Sequence, residues 1–441
     1  MKAKITFVGG GSVLWCPVLL TDLMHEEALS GSEVVLFDID LKAAKAVKTA
    51  VERQAKDNNK NFKFIATNRE DIAYTDADFV LITISTGGLK TMQVDVELPD
   101  KYGIFQTTGD SVGPGGWSRT LRNVPVFAKM AQTIEKYSPH AIVLNYSNPM
   151  GALTKVISDV SGLRCCGLCH GPFGTLNYLA KLFGTDESHF RTRFGGINHL
   201  FWITDFTVDG KDGYELLRKK LNGASLNSFD KSLAGSEGIF KFDHQILSEL
   251  YDAYGLLSYT ADDHTGEFFG CFLRDRKLME KMLVKRKEIG KRREKYAKGR
   301  GKLVEIAEGK IPMEKRSCEI AVNIVKAFVT DTTITDVVNL PNIGQIANLP
   351  YGAVVETMGV IDSCGFTPCS VGNLPENIAN ILSQHCRVQI MTTEAALAGN
   401  KKLALDALLM DPLSQHLLPS QIKAMGEELM EANKNWLPQF K

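Results

Sequence analysis

The sequence predicts an α/β protein, with a doubly wound parallel sheet in its N-terminal part and an α+β domain after it. Three observations carry that reading. Short apolar, β-rich runs alternate with helical stretches through residues 1–195. The runs are apolar throughout, as strands covered on both faces require. After Gly195 the alternation stops, and aromatic-rich runs, a charged stretch and a helical tail follow. We therefore expect two domains, 1–195 and 196–441, in a chain long enough to bury both cores.

In order, the strands are expected at 4–8, 33–37, 61–66, 79–85, 141–146 and 164–169. The first, Ile5-Thr6-Phe7-Val8, runs straight into glycines, and a helix follows near Pro17. The second, Glu33-Val34-Val35-Leu36-Phe37, stops at Asp38. Helices are expected over 41–57 and 124–137. Beyond the first domain, a charged helix is expected from about Leu273 to Lys298, then an ordered stretch over 337–375 and a helical tail.

Composition excludes several classes of function. Lys plus Arg number 51 and so do Asp plus Glu, so no net charge draws the chain to nucleic acid or to an anionic membrane. Within 273–298, Glu280, Glu288 and Glu294 interleave the basic residues, which describes a solvated helix face. The first apolar run is too short for a signal peptide, and no run approaches a membrane span. Nine scattered cysteines read as free thiols in a cytoplasmic protein.

Gly9-Gly10-Gly11-Ser12 sits between a strand and a helix, where glycines let backbone N–H groups approach a pyrophosphate. Leu14 occupies the last position of the plain glycine fingerprint, so that motif is incomplete. Asp38, at the carboxyl end of the second strand, is placed to accept from ribose hydroxyls, and no arginine stands beside it, which favours NAD over NADP. Ser85, in Ser85-Thr86-Gly87-Gly88, would flank the same cofactor. These features make the first domain a Rossmann-type NAD-binding domain.

In parallel α/β sheets ligands lie outside the carboxyl ends of the strands. Gly9, Asp38, Ser85, Asn148 and Cys169 all fall at such ends. Cys169 alone reads as a buried inert thiol and His199 alone as a structural imidazole. Together, at strand ends beside a nicotinamide, they suggest a bound metal. His170 and Asp110 are candidates for proton transfer, the latter in the glycine-rich segment 107–116. Asp262-Asp263-His264, with Glu267, gathers carboxylates and an imidazole, or else caps a helix.

These residues resemble glycoside hydrolase family 4, an NAD- and metal-dependent exception to the usual two-carboxylate glycosidases. The resemblance rests on Gly9–Ser12, Lys101-Tyr102-Gly103, Gly113-Pro114-Gly115-Gly116, Leu121-Arg122-Asn123-Val124-Pro125, Asn145–Pro149, Cys169-His170, Gly196-Ile197-Asn198-His199 and Asn339-Leu340-Pro341-Asn342-Ile343-Gly344. Within the family it is most like the α-galacturonidase branch, through Asp95-Val96-Glu97-Leu98-Pro99 and Val354-Val355-Glu356-Thr357. Leu89-Lys90-Thr91 lacks the arginine of the phospho-glycosidase branch. Ala261-Asp262-Asp263-His264 stands where the α-galacturonidase branch has Gly-Asp-Arg-His.

The resemblance implies hydrolysis without net redox, a hydride being removed from sugar C3 and later returned. It implies that Cys169 and His199 hold Mn²⁺, Asn148 contacts sugar hydroxyls, Asp262 is the base and His170 the acid, with Asp110 the alternative acid. Arg119 and Arg122 would meet a uronate carboxylate, unless Arg122 pairs with a structural acid. The expected partners are a small sugar substrate and further copies of the chain, in a homodimer or homotetramer. An α-galactosidase or α-glucosidase of the same family is the alternative. Readings from other classes are a 2-hydroxyacid dehydrogenase and an inactive nucleotide sensor.

Overall fold

The structure, a computed structural model, describes residues 2–169, 171–229 and 244–440. Strands β1 (Lys4–Val8), β2 (Glu33–Phe37), β3 (Lys63–Thr67), β4 (Phe79–Ile82), β5 (Ile142–Asn145) and β6 (Arg164–Gly167) open the fold. They lie in the order β3-β2-β1-β4-β5-β6, with every neighbouring pair parallel. This is the strand order of the dinucleotide-binding sheet. Because side chains alternate along a strand, each strand feeds two cores. Ile5, Phe7, Val34 and Leu36 join the core that includes Leu19, Leu20 and Val47 of helices Cys16–His25 and Leu41–Asp57. Val35, Val80, Ile82 and Val143 join the other, with Val124 and Phe127 of helix Gly113–Tyr137 and Val156 of Met150–Val160. Burying side chains of this size contributes roughly 1.5–3 kcal/mol each.

The same sheet continues beyond β6. Strands β7 (Phe190–Ile197), β8 (Leu200–Val208), β9 (Lys211–Asp212), β10 (Ile334–Pro341), β11 (Val354–Asp362) and β12 (Gly365–Pro368) complete it. They run on from β6 in the order β10-β11-β7-β8-β9, with β12 on β11, and every added pair is antiparallel. One registered row crosses the join: Gly167 opposes Asn339, Asn339 opposes Glu356, and Glu356 opposes Gly196. A third, aromatic core packs β7 and β8 against three helices, with Phe190, Phe201, Phe206, Tyr214 and Tyr251 buried in it. Among the described residues no helix is long and apolar enough to cross a membrane.

Several boundaries differ from expectation: β3 lies at 63–67 and not 61–66, β5 at 142–145 and not 141–146, and β6 ends at Gly167 and not Cys169. β4 ends at Ile82 and not at residue 85, and residues 83–87 leave the sheet, with Gly87 at φ 81°. The helix expected over 124–137 begins at Gly113, because its first two turns are buried and need no apolar periodicity. The charged helix expected over 273–298 is two helices, Arg276–Lys281 and Ile289–Ala307. Between them the first helix ends in a left-handed turn at Leu283, φ 58°, which leaves Leu283 exposed and buries Met282 and Val284 on either side of it.

Helix Gly113–Tyr137 starts on a buried carboxylate. Asp411 accepts from Gly113 N at 3.0 Å and from Leu413 N at 2.9 Å. Burial pushes its carboxyl up from 3.8 to about 7, the two N–H bonds opposing. A carboxyl raised in the folded state binds more protons there than in the unfolded chain, so its contribution is full below pH 3.8 and is lost as pH rises through about 7. Urea denaturation between pH 4 and pH 8 should therefore show a smaller loss of stability with rising pH in Asp411→Asn than in the native chain. Parallel profiles would remove Asp411 as the cause.

Candidate active site

The glycine turn is pressed against the end of β2. Gly9 N and Gly10 N both donate to Phe37 O, at 3.0 and 2.9 Å. A Cβ on Gly10 would lie 2.6 Å from the Leu36 backbone, so only glycine allows this approach. Gly11 N donates to Asp38 Oδ2 at 2.9 Å, and Ser12 Oγ accepts from Trp15 N at 3.2 Å as the helix begins. Turn, acid and helix start thus form one cradle at the carboxyl edge of the sheet.

The reactive cluster lies further along that edge. Residues 107–112 bring Asp110 and Ser111 against two imidazoles. Ser111 Oγ is 2.8 Å from His199 Nδ1, and Asp110 Oδ1 is 3.8 Å from His199 Nδ1 and 3.6 Å from His264 Nδ1. The two rings are 4.2 Å apart, and Tyr259 stacks on His199 at 5.9 Å. His199 takes φ 66°, a strained conformation for a side chain that the β7–β8 hairpin holds in place. Asp110, His199 and His264 could together hold a metal ion, their ligand atoms lying within 4.8 Å of one another.

Charge in this cluster is sorted by burial and neighbours. Burial alone would raise the Asp110 carboxyl, yet His264, His199 and Arg119 hold it well below the usual carboxylate range. Burial, with the charge of His264, presses His199 down to about 3, so its ring is neutral at pH 7. A fixed carboxylate beside a neutral imidazole is a donor set for a divalent cation.

The two arginines part company. Arg122 donates to Asp95 at 2.8 and 2.5 Å and to Thr86 O at 3.0 Å, with both ion-pair side chains wholly buried. Arg119 is only 5 % exposed; it donates to Ser85 Oγ at 3.1 Å, while its Nε and Nη1 are buried without a partner. Asp262 is not part of the trio; it accepts from Ile246 N and Leu247 N at 2.7 and 3.1 Å at the start of helix Gln245–Tyr254. Burial lifts its carboxyl to about 7. Its neighbour Asp263 instead binds Lys287 Nζ at 2.7 Å, and the same nitrogen is 3.0 Å from His264 Nε2.

Cys169 lies two residues past β6, partly buried, and accepts from Gly171 N at 3.3 Å. It falls outside the Asp110, His199 and His264 trio. Burial, with Glu356 nearby, pushes its thiol up, and bonds from Gly171 and the Asn198 side chain oppose this. Asn148 Oδ1 accepts from Met150 N at 3.2 Å. His170 lies outside the described residues.

Sequence reasoning assigned no role to Ser111, Tyr259, Lys287 or Glu356. Ser111 and Lys287 owe their positions to chain contacts between distant segments, which no local pattern announces. Glu356 did carry a signal, a carboxylate inside the otherwise apolar Val354-Val355 run. In the structure it is fully buried and accepts from Asn339 Nδ2 at 2.9 Å and Asn198 Nδ2 at 3.5 Å.

Comparison with known proteins bears on this geometry. Residues 4–185 match the family model described as "Family 4 glycosyl hydrolase", and residues 194–414 match "Family 4 glycosyl hydrolase C-terminal domain". An alpha-galacturonidase of Bacillus subtilis (strain 168) is 34% identical, over 94% of each chain. An alpha-galactosidase of the same strain is 31% identical, over 99% of this chain and 100% of that one. The 6-phospho-beta glucosidase from Thermotoga maritima, solved with manganese, NAD+ and glucose-6-phosphate, superposes with a TM-score of 0.78 at 26% identity, covering 98% of this chain and 99% of that one.

The two arginines should separate in stability measurements. Arg122→Met strands Asp95 as a buried unpaired charge and should cost about 3–5 kcal/mol. Arg119→Met removes a guanidinium with two unpaired nitrogens and should cost less than half as much. Equal losses in urea unfolding would mean that both arginines are structural.

Proposed function

This chain belongs to family 4 of the glycosyl hydrolases, and we propose that it hydrolyses α-galacturonides with NAD and Mn²⁺ bound. The observation that carries the substrate assignment is Arg119. Its guanidinium is buried and close enough to Asp110 to favour that carboxylate's charge, yet its Nε and Nη1 make no hydrogen bond. A carboxylate on the sugar would accept a charge-assisted hydrogen bond from one of these free donors. The neutral hydroxymethyl group of a galactoside supplies no such charge.

The chain's own groups fit both cofactors. The Gly9–Gly11 turn and Asp38 suit the pyrophosphate and ribose of NAD, because a side chain on Gly10 would strike the Leu36 backbone. For Mn²⁺ the proposed ligands are His199, with the ionised Asp110 3.8 Å from its Nδ1, and Cys169 from the end of β6. Ser111 occupies His199 Nδ1, which leaves the other ring nitrogen for the cation. NAD, when bound, would supply reversible hydride removal from the sugar, and the cation would supply stabilisation of the developing negative charge.

The remaining work is proton transfer and orientation. Asp262, raised to about 7, has the proton affinity of a general base at neutral pH and is assigned the C2 proton. Asp263 is the rival, since it shares Lys287 with His264 on the cluster side. Asp110, held ionised, serves as ligand or counter-charge and gives up no proton, so the acid's role falls to His170. Asn148 orients sugar hydroxyls from the end of β5. The division at residue 195 and assembly as a homodimer or homotetramer belong to the same proposal.

The test is hydrolysis of aryl α-galacturonide, α-galactoside and α-glucoside with NAD, Mn²⁺ and a thiol. The uronide should be cleaved fastest, with no accumulation of NADH; preference for a neutral sugar would overturn the substrate assignment. Arg119→Met should lower kcat/KM on the uronide about ten- to a hundredfold, the worth of a contact of roughly 1.5–3 kcal/mol, and should spare the galactoside. Asp262→Asn should halt exchange of the sugar C2 hydrogen with deuterated solvent. Exchange that persists there and stops in Asp263→Asn would transfer the base's role to Asp263.

A further inference from the structure

Glu267 touches neither imidazole, yet it holds the segment that presents Asp110 and Ser111. Its side chain is 1 % exposed, in the 3₁₀ turn Gly266–Phe268 that follows helix Asp262–Thr265. One oxygen, Oε1, accepts three consecutive backbone N–H groups, from Thr107 at 2.7 Å, Thr108 at 2.6 Å and Gly109 at 2.9 Å. The Thr107 hydroxyl stands 2.9 Å from the same oxygen, and the Thr108 hydroxyl stands 3.0 Å from Oε2. Successive N–H groups converging on one point form an anion-binding nest, and Gly109 at φ 56° supplies the left-handed residue that closes it. The nest is filled by a carboxylate of the chain itself.

We infer that Glu267 is the positioning residue of this site: by filling the nest it fixes the loop from which Asp110 and Ser111 reach His199. The geometry has two consequences. First, Asp263, His264 and Glu267 lie on one short segment, so a single segment supplies both an imidazole wall of the cluster and the clamp on the loop facing it. Second, the Thr108 hydroxyl lies between two carboxylates, 3.3 Å from Asp110 Oδ1 and 3.0 Å from Glu267 Oε2. With one proton it donates to one of them at a time, the shorter distance being to Glu267. Releasing the clamp frees Ser111, whose bond to Nδ1 orients the His199 ring. Loss of such an outer partner lowers metal affinity about 10–100-fold.

This inference rests on the reading of His199 as a cation ligand, and its test separates the two. Hydrogen exchange over residues 106–111, NAD affinity and Mn²⁺ affinity in the NAD-bound protein are measured for the native chain, Glu267→Ala and Glu267→Gln. In Glu267→Ala the loop amides should exchange faster and Mn²⁺ affinity should fall about 10–100-fold, with NAD affinity unchanged. Glu267→Gln keeps an acceptor for the three N–H groups and should recover most of the Mn²⁺ affinity. If Glu267→Ala fails to fold, Glu267→Asp, which withdraws the carboxylate by one methylene, should bind Mn²⁺ more weakly than Glu267→Gln. Native exchange and Mn²⁺ affinity in Glu267→Ala would overturn the inference. So would joint loss of NAD and Mn²⁺ binding with Gln no better than Ala, the mark of a merely structural group. Exchange reads the clamp without any reaction, so a native chain that cleaves no glycoside would sink the proposed function alone.

Discussion

Gly167, Asn339, Glu356 and Gly196 stand in one row across four strands, and the geometry of the site follows from that row. Cys169 follows its first member and His199 its last, so the spacing between a thiol and an imidazole from different halves of the chain is set by strand pairing. Glycine ends the row on both sides for steric reasons. A Cβ on Gly167 would lie 2.2 Å from Met150 Sδ, and one on Gly196 would lie 2.3 Å from Leu200 O. Between the glycines Asn339 donates to Glu356 at 2.9 Å. Burial lifts the Glu356 carboxyl to about 7, with the Asn339 and Asn198 amides opposing. A buried carboxyl costs stability unless it is bonded, and here its bonds also tie β10, β11 and the β7–β8 turn together.

The cluster built on this frame works through unequal surroundings. Asp110 lies among groups that favour its charge, whereas Glu356 and Asp262 are raised by burial. These acids therefore differ in protonation near neutrality, through burial and neighbouring charge alone. Among the arginines, Arg122 is saturated by Asp95 and Thr86, while Arg119 keeps donors in reserve. Saturation marks Arg122 as a brace, and the proposed role of Arg119 rests on its reserve.

Much of the parallel half was legible in the sequence because its signals are local. Continuous apolar runs, a glycine turn and an acid at a strand end are each written within a few residues, and β1 and β2 occupy the expected positions. The remainder depends on pairing between distant segments. Nothing near Arg122 announces Asp95 as its partner, and nothing near residues 107–109 announces Glu267. The expected charged helix failed for a related reason. Its charges fit a helix, but burial of Met282 and Val284 is a demand of the core, and the core overrode the local pattern.

The row also imposes an order of assembly. Gly167 belongs to a sheet made of segments near in sequence, whereas its partner Asn339 comes from far downstream. Contacts between remote segments pay their loop-closure entropy late. During synthesis the nucleotide cradle between β1 and β2 can close once its own strands have emerged, long before β10 exists to dock on β6. Cys169 and His199 reach their final spacing only after that docking. In the growing chain the β1–β2 cradle therefore takes shape before the thiol and the imidazole are brought to their places.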